Sequence, residues 1–232
     1  MKSLLNSVTY ALLSICLCFP LLKDTAIAQE YLDFQALAQE TRKISRVAND
    51  MTIVWWLPDI ICQFSLSRQP YLTQTQIGNY LKSLRPYTLF IVLDGKIDAA
   101  KTMTLNTDAA LRNILQLEDN SGNQYQSIRD ENISADTREI LKALKPGLIE
   151  ILGLNTELPF FLFPAKSPQG ITIADVKGIG SFTVKVGSKS FKWHLPLDSL
   201  LPEKKCLSCG SDCKGSWQYC PWCGKKLITI IK

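Results

Sequence analysis

Histidine is almost absent from this chain, and His194 is the only one in 232 residues. One imidazole excludes every site built on two or more histidines, among them HExxH proteases, facial-triad oxygenases and three-histidine zinc enzymes. Glycine and proline are sparse as well, at 12 and 11 residues, so the chain is neither collagen-like nor of low complexity. There is no GxSxG nucleophile elbow. Gly178-Ile179-Gly180 lacks the third glycine and the following helix of a dinucleotide fingerprint, and reads as a turn. Most of the chain also lacks a charge bias. Between Gln29 and Pro202 there are 18 basic and 18 acidic residues, so nucleic-acid binding, which depends on neutralising phosphates, is not expected. The net charge of +5 comes from the two ends, chiefly Lys204, Lys205, Lys214, Lys225, Lys226 and Lys232. What the chain does have is 46% hydrophobic and 20% charged residues, enough for one ordinary packed core.

The first 30 residues read as an export signal. Lys2 supplies a positive n-region, Leu4 to Leu22 form the apolar run, Pro20 breaks it, and Ala26-Ile27-Ala28 is a small-x-small cleavage site. Asn6, Ser7, Thr9 and Ser14 lower the hydrophobicity of the run, which weighs against the alternative of an uncleaved anchor. Ile15 and Leu17 precede Cys16 and Cys18, where a lipoprotein site needs a small residue. The expectation is a signal peptide over 1–28, a mature chain starting near Gln29, and export to a periplasmic or extracellular space. No later apolar run is long enough to span a bilayer, so no transmembrane span is expected after cleavage.

Residues 29–200 read as one body domain. Tyr31 to Asn49 has helical apolar spacing and no Pro or Gly, which predicts a helix. Met51 to Leu57 is β-branched and aromatic and predicts a buried strand. Thr73 and Gln76 form a capping-box pair ahead of Ile77, Tyr80, Leu81 and Leu84, an amphipathic helix ending before Pro86. Tyr87 to Leu93 predicts a strand, and Asp94-Gly95 predicts a tight hairpin with the return strand from Lys96. A second hairpin is expected around Asn120 to Asn123. Ser134 caps a helix expected to stop at Pro146, with a further turn or two after Gly147. Phe160 to Phe163 predicts a short strand between prolines. Phe182, Val184 and Val186, then Phe191, Trp193 and Leu195, alternate with polar residues around Gly187 to Lys189, a one-sided hairpin with His194 on its polar face. The expected class is α+β: an antiparallel sheet or sandwich-like body with a few packed helices.

Five of the 8 cysteines fall between Cys206 and Cys223. Cys206-x-x-Cys209-Gly210 and Cys220-x-x-Cys223-Gly224 are two copies of one device. In a metal knuckle, two thiolates flank a tight turn and the glycine after them lets backbone N–H groups approach sulfur. Two knuckles supply four thiolates for a tetrahedral Zn²⁺, with Lys214 to Tyr219 and Lys225 to Ile231 as expected short strands. The segment 204–232, with its YCPWCGKKL ending, resembles the zinc-ribbon family. That resemblance implies a structural zinc held by Cys206, Cys209, Cys220 and Cys223, and covers nothing of the body. Cys213 is outside the pattern and reads as a spare thiol, a replacement ligand or a disulfide partner for Cys62. Disulfides within the cluster are the alternative in an oxidising compartment, and iron in a rubredoxin-like site is another. Cys220-Pro221-Trp222-Cys223 also invites a thioredoxin-like reading, but Gly224 stands where the helix of such a site should begin.

Cys62 and His194 are a conceivable nucleophile–base pair without any triad signature, and Cys62 sits in an apolar stretch that suits a core residue. Trp55, Trp56 and Trp193 read as core aromatics, with a ligand platform as the alternative were Trp55 or Trp56 exposed. No catalytic residue is therefore assigned. The expected role is an exported, non-catalytic binding or structural protein of the cell envelope, with a protein or envelope partner. Its rivals are a redox or metal-handling protein using the CxxC pairs, and an enzyme with its site on the body.

Overall fold

The computed structural model describes residues 34–98, 102–152 and 158–228. The expected export signal at 1–28 lies outside the described residues. Two antiparallel sheets face each other and helices pack around them, so the class is α+β.

The described chain opens on helix α1, residues 34–41. It does not continue to Asn49 as the apolar spacing predicted. Arg42–Val47 is instead strand β1, paired antiparallel with β2, Asp50–Leu57. The turn between them is built from Ala48, with φ of 51°, and Asn49. A left-handed alanine costs roughly 1–2 kcal/mol, and the ladder on either side compensates for it. β1 is an edge strand carrying Arg42, Lys43 and Arg46, charges that discourage pairing with a further chain.

After β2 come α2, Asp59–Ser67, and α3, Gln74–Leu84. The capping box is formed as expected: the Gln76 N–H donates to Thr73 Oγ1 at 3.3 Å and the Thr73 N–H to Gln76 Oε1 at 2.9 Å. β3 then runs from Tyr87 to Ile97, straight through the expected Asp94-Gly95 turn. Asp94 is buried and is hydrogen-bonded from three sides. A Cβ on Gly95 would collide with the Thr104 backbone of β4, Met103–Leu105. Here aspartate and glycine serve a buried carboxylate and a close strand approach rather than a turn. The first sheet has the order β1-β2-β3-β4, and the other half of β3 pairs with β7, Phe160–Pro164.

α4, Asp108–Ile114, leads into β5, Leu115–Glu118, and β6, Gln124–Gln126, which form the expected hairpin. α5 spans Ala135–Leu152 and passes through Pro146, where a stop was predicted. An interior proline costs about 3 kcal/mol, and α2 holds α5 on both sides of it. Ser65 Oγ donates to the Leu144 carbonyl at 2.7 Å, and Arg68 grips Glu150 with two bonds of 3.1 and 2.6 Å. Between them, a Cβ on Gly147 would meet Ser65 Oγ at 2.5 Å.

β8, Gly180–Val186, and β9, Lys189–Leu195, form the one-sided hairpin, with Gly187 at φ 58° in its turn. The second sheet has the order β6-β5-β8-β9. Its inner aromatics meet those of the first sheet: Trp56 lies edge-on to Phe182 at 4.9 Å, and Phe90 lies 6.1 Å from Trp193. β2 and β3 are buried on both faces, which explains their unbroken apolar runs. No helix among the described residues is long and apolar enough to cross a membrane.

Candidate metal centre

The C-terminal segment folds around its two glycine-ended cysteine pairs. In each, the first cysteine's carbonyl accepts from the glycine four residues on: Gly210 N–H to Cys206 at 2.8 Å, Gly224 N–H to Cys220 at 2.9 Å. The first cysteine's own N–H donates five residues on, Cys206 to Ser211 at 2.9 Å and Cys220 to Lys225 at 2.8 Å. Gly210 and Gly224 have φ of 74° and 69°, so both turns need a residue free of a Cβ penalty. The two segments, alike in sequence only in their Cys-x-x-Cys-Gly frame, thus adopt one hydrogen-bond pattern.

This pattern brings the sulfurs of Cys206, Cys209, Cys220 and Cys223 within 4.8 Å of one another. Cys206 and Cys223 are 3.5 Å apart and Cys209 and Cys220 are 3.6 Å apart. Metal–sulfur bonds of about 2.3 Å in a tetrahedron put the sulfurs about 3.8 Å apart, so the donor set fits a four-coordinate metal ion. All four are free thiols. Cys206 and Cys220 are buried whereas Cys209 and Cys223 are exposed, so one edge of the cluster faces solvent.

Short ladders brace the knuckles, one of them outside the segments expected to form strands and the other a single bridge between them. β10, Lys204–Lys205, pairs with β11, Asp212–Cys213, across the first knuckle. A bridge between Tyr219 and Lys226 closes the second. Lys214 to Gln218 forms turns and bends rather than a strand, and Tyr219 contributes only its bridge; the ladders flank the turns because each knuckle is itself a tight hairpin.

Local dipoles already favour thiolate at part of the site. The Ser211 hydroxyl and N–H stabilise the Cys209 anion and bring its thiol down to about 6. At Cys220 burial opposes ionisation, but the N–H groups of Cys223 and Trp222 outweigh it and hold the thiol below its ordinary value. The Lys225 N–H favours the Cys223 anion, yet burial and the three neighbouring sulfurs push that thiol up to about 12. Four thiolates together need a cation, and binding one releases the remaining protons.

Cys213 is buried beside this cluster with its Sγ 3.6 Å from the Ser211 carbonyl. It is a free thiol, as is Cys62, and the two belong to different cores. Cys62 donates to the Leu57 carbonyl at 3.6 Å, and burial, with Asp59 nearby, drives its thiol far above the ordinary value. His194 is on the exposed face of β9. Trp55, Trp56 and Trp193 are fully buried, so none is a ligand platform.

The cysteine pattern pointed to the ligands but not to what anchors them. Asp198, in a single turn of 3₁₀ helix at Asp198–Leu200, accepts from Ser216 N–H at 3.2 Å and pairs with Lys214 at 3.3 Å. Gly215 lies so close to Leu201 that a Cβ would collide with it. These residues carry no spacing signal; they are found only once the segment is docked.

A second polar cluster was also missed. Thr52 Oγ1 donates to Asp94 Oδ1 at 2.5 Å, Lys189 donates to both, at 2.6 and 3.0 Å, and Asn106 donates to Asp94 at 2.6 Å. It joins the turn of the second sheet to the middle of the first. Burial works against the Asp94 charge, but the Thr52 and Lys189 hydrogen bonds, the Lys189 cation and Asn106 outweigh it and hold the carboxyl below its usual range.

The chain matches no protein-family model, no curated protein and no solved structure.

Proposed function

We propose that the chain is an exported, non-catalytic binding or structural protein of the cell envelope, whose residues 204–232 form a zinc ribbon held against the α+β body at 29–200. The single observation carrying this reading is that the two Cys-x-x-Cys-Gly knuckles share one hydrogen-bond pattern and gather four sulfurs at tetrahedral spacing. Zinc suits an all-thiolate tetrahedron with no redox role. The ribbon's own core is Cys206, Cys213, Cys220 and Leu227, with Trp217 packed on it. So small a cluster supplies little burial, so metal binding would supply most of the ribbon's folding free energy.

Two features weigh against the redox reading. Cys220 to Cys223 lies in a turn with no helix following it, so the macrodipole that activates a thioredoxin-type thiol is missing. The sulfurs also pair across the knuckles, Cys206 with Cys223 and Cys209 with Cys220, as a shared ion requires. Against the enzyme reading, the Thr52 hydroxyl spends its proton on Asp94, and Lys189 is engaged by both. That arrangement suits a clamp between sheets.

The test is native and denaturing mass spectrometry on protein recovered from the envelope fraction of producing cells. The expected result is an N-terminus near Gln29, one zinc per chain and no disulfide. Metal-free protein with Cys206, Cys209, Cys220 and Cys223 paired as disulfides would overturn the zinc assignment. An intact N-terminus in a cytosolic fraction would overturn export.

A further inference from the structure

Four large apolar side chains stand out on the small ribbon: Leu207 is 72% exposed, Trp222 62%, Ile228 62% and Tyr219 59%. Leu207 is next to the ligand Cys206 and Trp222 next to the ligand Cys223, so each sits on the tip of one knuckle. Neither side chain belongs to the ribbon's buried cluster, although the Trp222 ring lies 5.9 Å from that of Trp217, which packs on the cluster.

The charge on the ribbon is predominantly positive. Lys205, Lys225 and Lys226 are exposed; Asp212 lies across the ladder from Lys205 and Lys214 pairs with Asp198, and the sequence after Pro202 carries six lysines against two acidic residues, Glu203 and Asp212. The body between Gln29 and Pro202 is balanced, so the chain's described positive surplus is concentrated on the ribbon. A zinc tetrathiolate, with a formal charge of −2, would lower that surplus without reversing it.

We propose that the ribbon docks on an anionic lipid bilayer, with Leu207 and Trp222 entering the interface and Lys205, Lys225 and Lys226 at headgroup level. The inference rests on the ribbon reading above, because the tips are positioned by the metal-held knuckles. Exposed apolar side chains on two neighbouring turns fit a fluid interface, which adapts to each of them. A protein partner would have to offer a pocket for each. Indole and leucine side chains partition into the interfacial region, and the lysine stems lie along it with their ammonium groups at the phosphates.

The test is co-sedimentation of the protein, as purified with its zinc, with vesicles of phosphatidylcholine alone or mixed with phosphatidylglycerol. Zinc per chain is measured on every sample. Binding to the mixed vesicles, with a blue shift of tryptophan emission, is expected. L207S/W222S should abolish it while retaining zinc, and K225Q and K226Q should each weaken it roughly fivefold. Four results would overturn the proposal: no binding by zinc-loaded wild type, equal binding to neutral vesicles, undiminished binding by zinc-loaded L207S/W222S, or capture by polyglutamate without capture by vesicles. A chain that carries no zinc would instead overturn the ribbon reading, and the zinc measurement separates the two failures.

Discussion

Glu40 and Asp198, 158 residues apart, are joined by a hydrogen bond of 2.7 Å in which the Asp198 N–H donates to the Glu40 carboxylate. The same carboxylate accepts from Ser199 N–H at 2.9 Å and from Ser199 Oγ at 2.6 Å. It therefore caps the short 3₁₀ turn from which the Asp198 side chain reaches the ribbon. The last helical turn of α1 thus determines, through two carboxylates in series, where the cysteine cluster sits.

Asp198→Ala should release the ribbon without emptying it. The lost bonds are partly buried and charge-assisted, worth about 1.5–3 kcal/mol. Limited proteolysis between Leu201 and Lys205 should accelerate while zinc per chain stays the same. Cleavage at the wild-type rate would mean that Gly215 packing alone holds the ribbon.

Cys213 and the cluster cysteines should separate cleanly. Cys209→Ser should lose zinc, because the tetrahedron is left with three sulfurs. Cys213→Ser should keep one zinc per chain and cost about 1–2 kcal/mol, the penalty of a poorly matched buried hydroxyl. Metal content by mass spectrometry checks both, and zinc loss from Cys213→Ser would make Cys213 a ligand.

Acid should weaken the join between the sheets. The Asp94 carboxyl lies below its ordinary value of 3.8 when folded, so its contribution to stability is present above that value. It is lost as pH falls through the lower folded value. Asp94→Asn should lower stability at neutral pH and flatten that acid limb, as measured by urea unfolding across the acid range. An unchanged acid limb would show that Asp94 is not the titrating group.

Two glycine-to-alanine changes should have opposite signs. Gly95→Ala places a methyl against the Thr104 backbone and should cost about 1–3 kcal/mol. Gly78 is exposed in α3 with nothing within 4 Å of a built Cβ, so Gly78→Ala should stabilise by about 0.5–1 kcal/mol. Thermal unfolding of the two variants decides both.

Elements whose cause is local are legible in the order of residues alone. The Thr73–Gln76 capping box and the Phe182 to Leu195 alternation need only neighbouring residues, and both form as expected. The four cysteines belong with them, because spacing and glycine dictate each knuckle. Elements with a distant cause are not legible in that way. Arg42–Val47 has helical apolar spacing but is recruited by the β2 ladder. Asp94-Gly95 has turn chemistry but is claimed by Thr52, Lys189 and Thr104. Pro146 should end a helix, and Ser65 with Arg68 keeps it going.

Composition and spacing alone pointed to an α+β body and to a C-terminal cluster of four cysteines. Hydrophobic period and knuckle geometry are properties of short segments, so they survive without knowledge of the rest. The anchoring of that cluster, and the solvent-facing stance of Leu207 and Trp222 beside it, depended on folding. Glu40, Asp198 and Ser216 are brought together only when the body has packed, and no local pattern marks residues whose bonds cross 158 positions of chain.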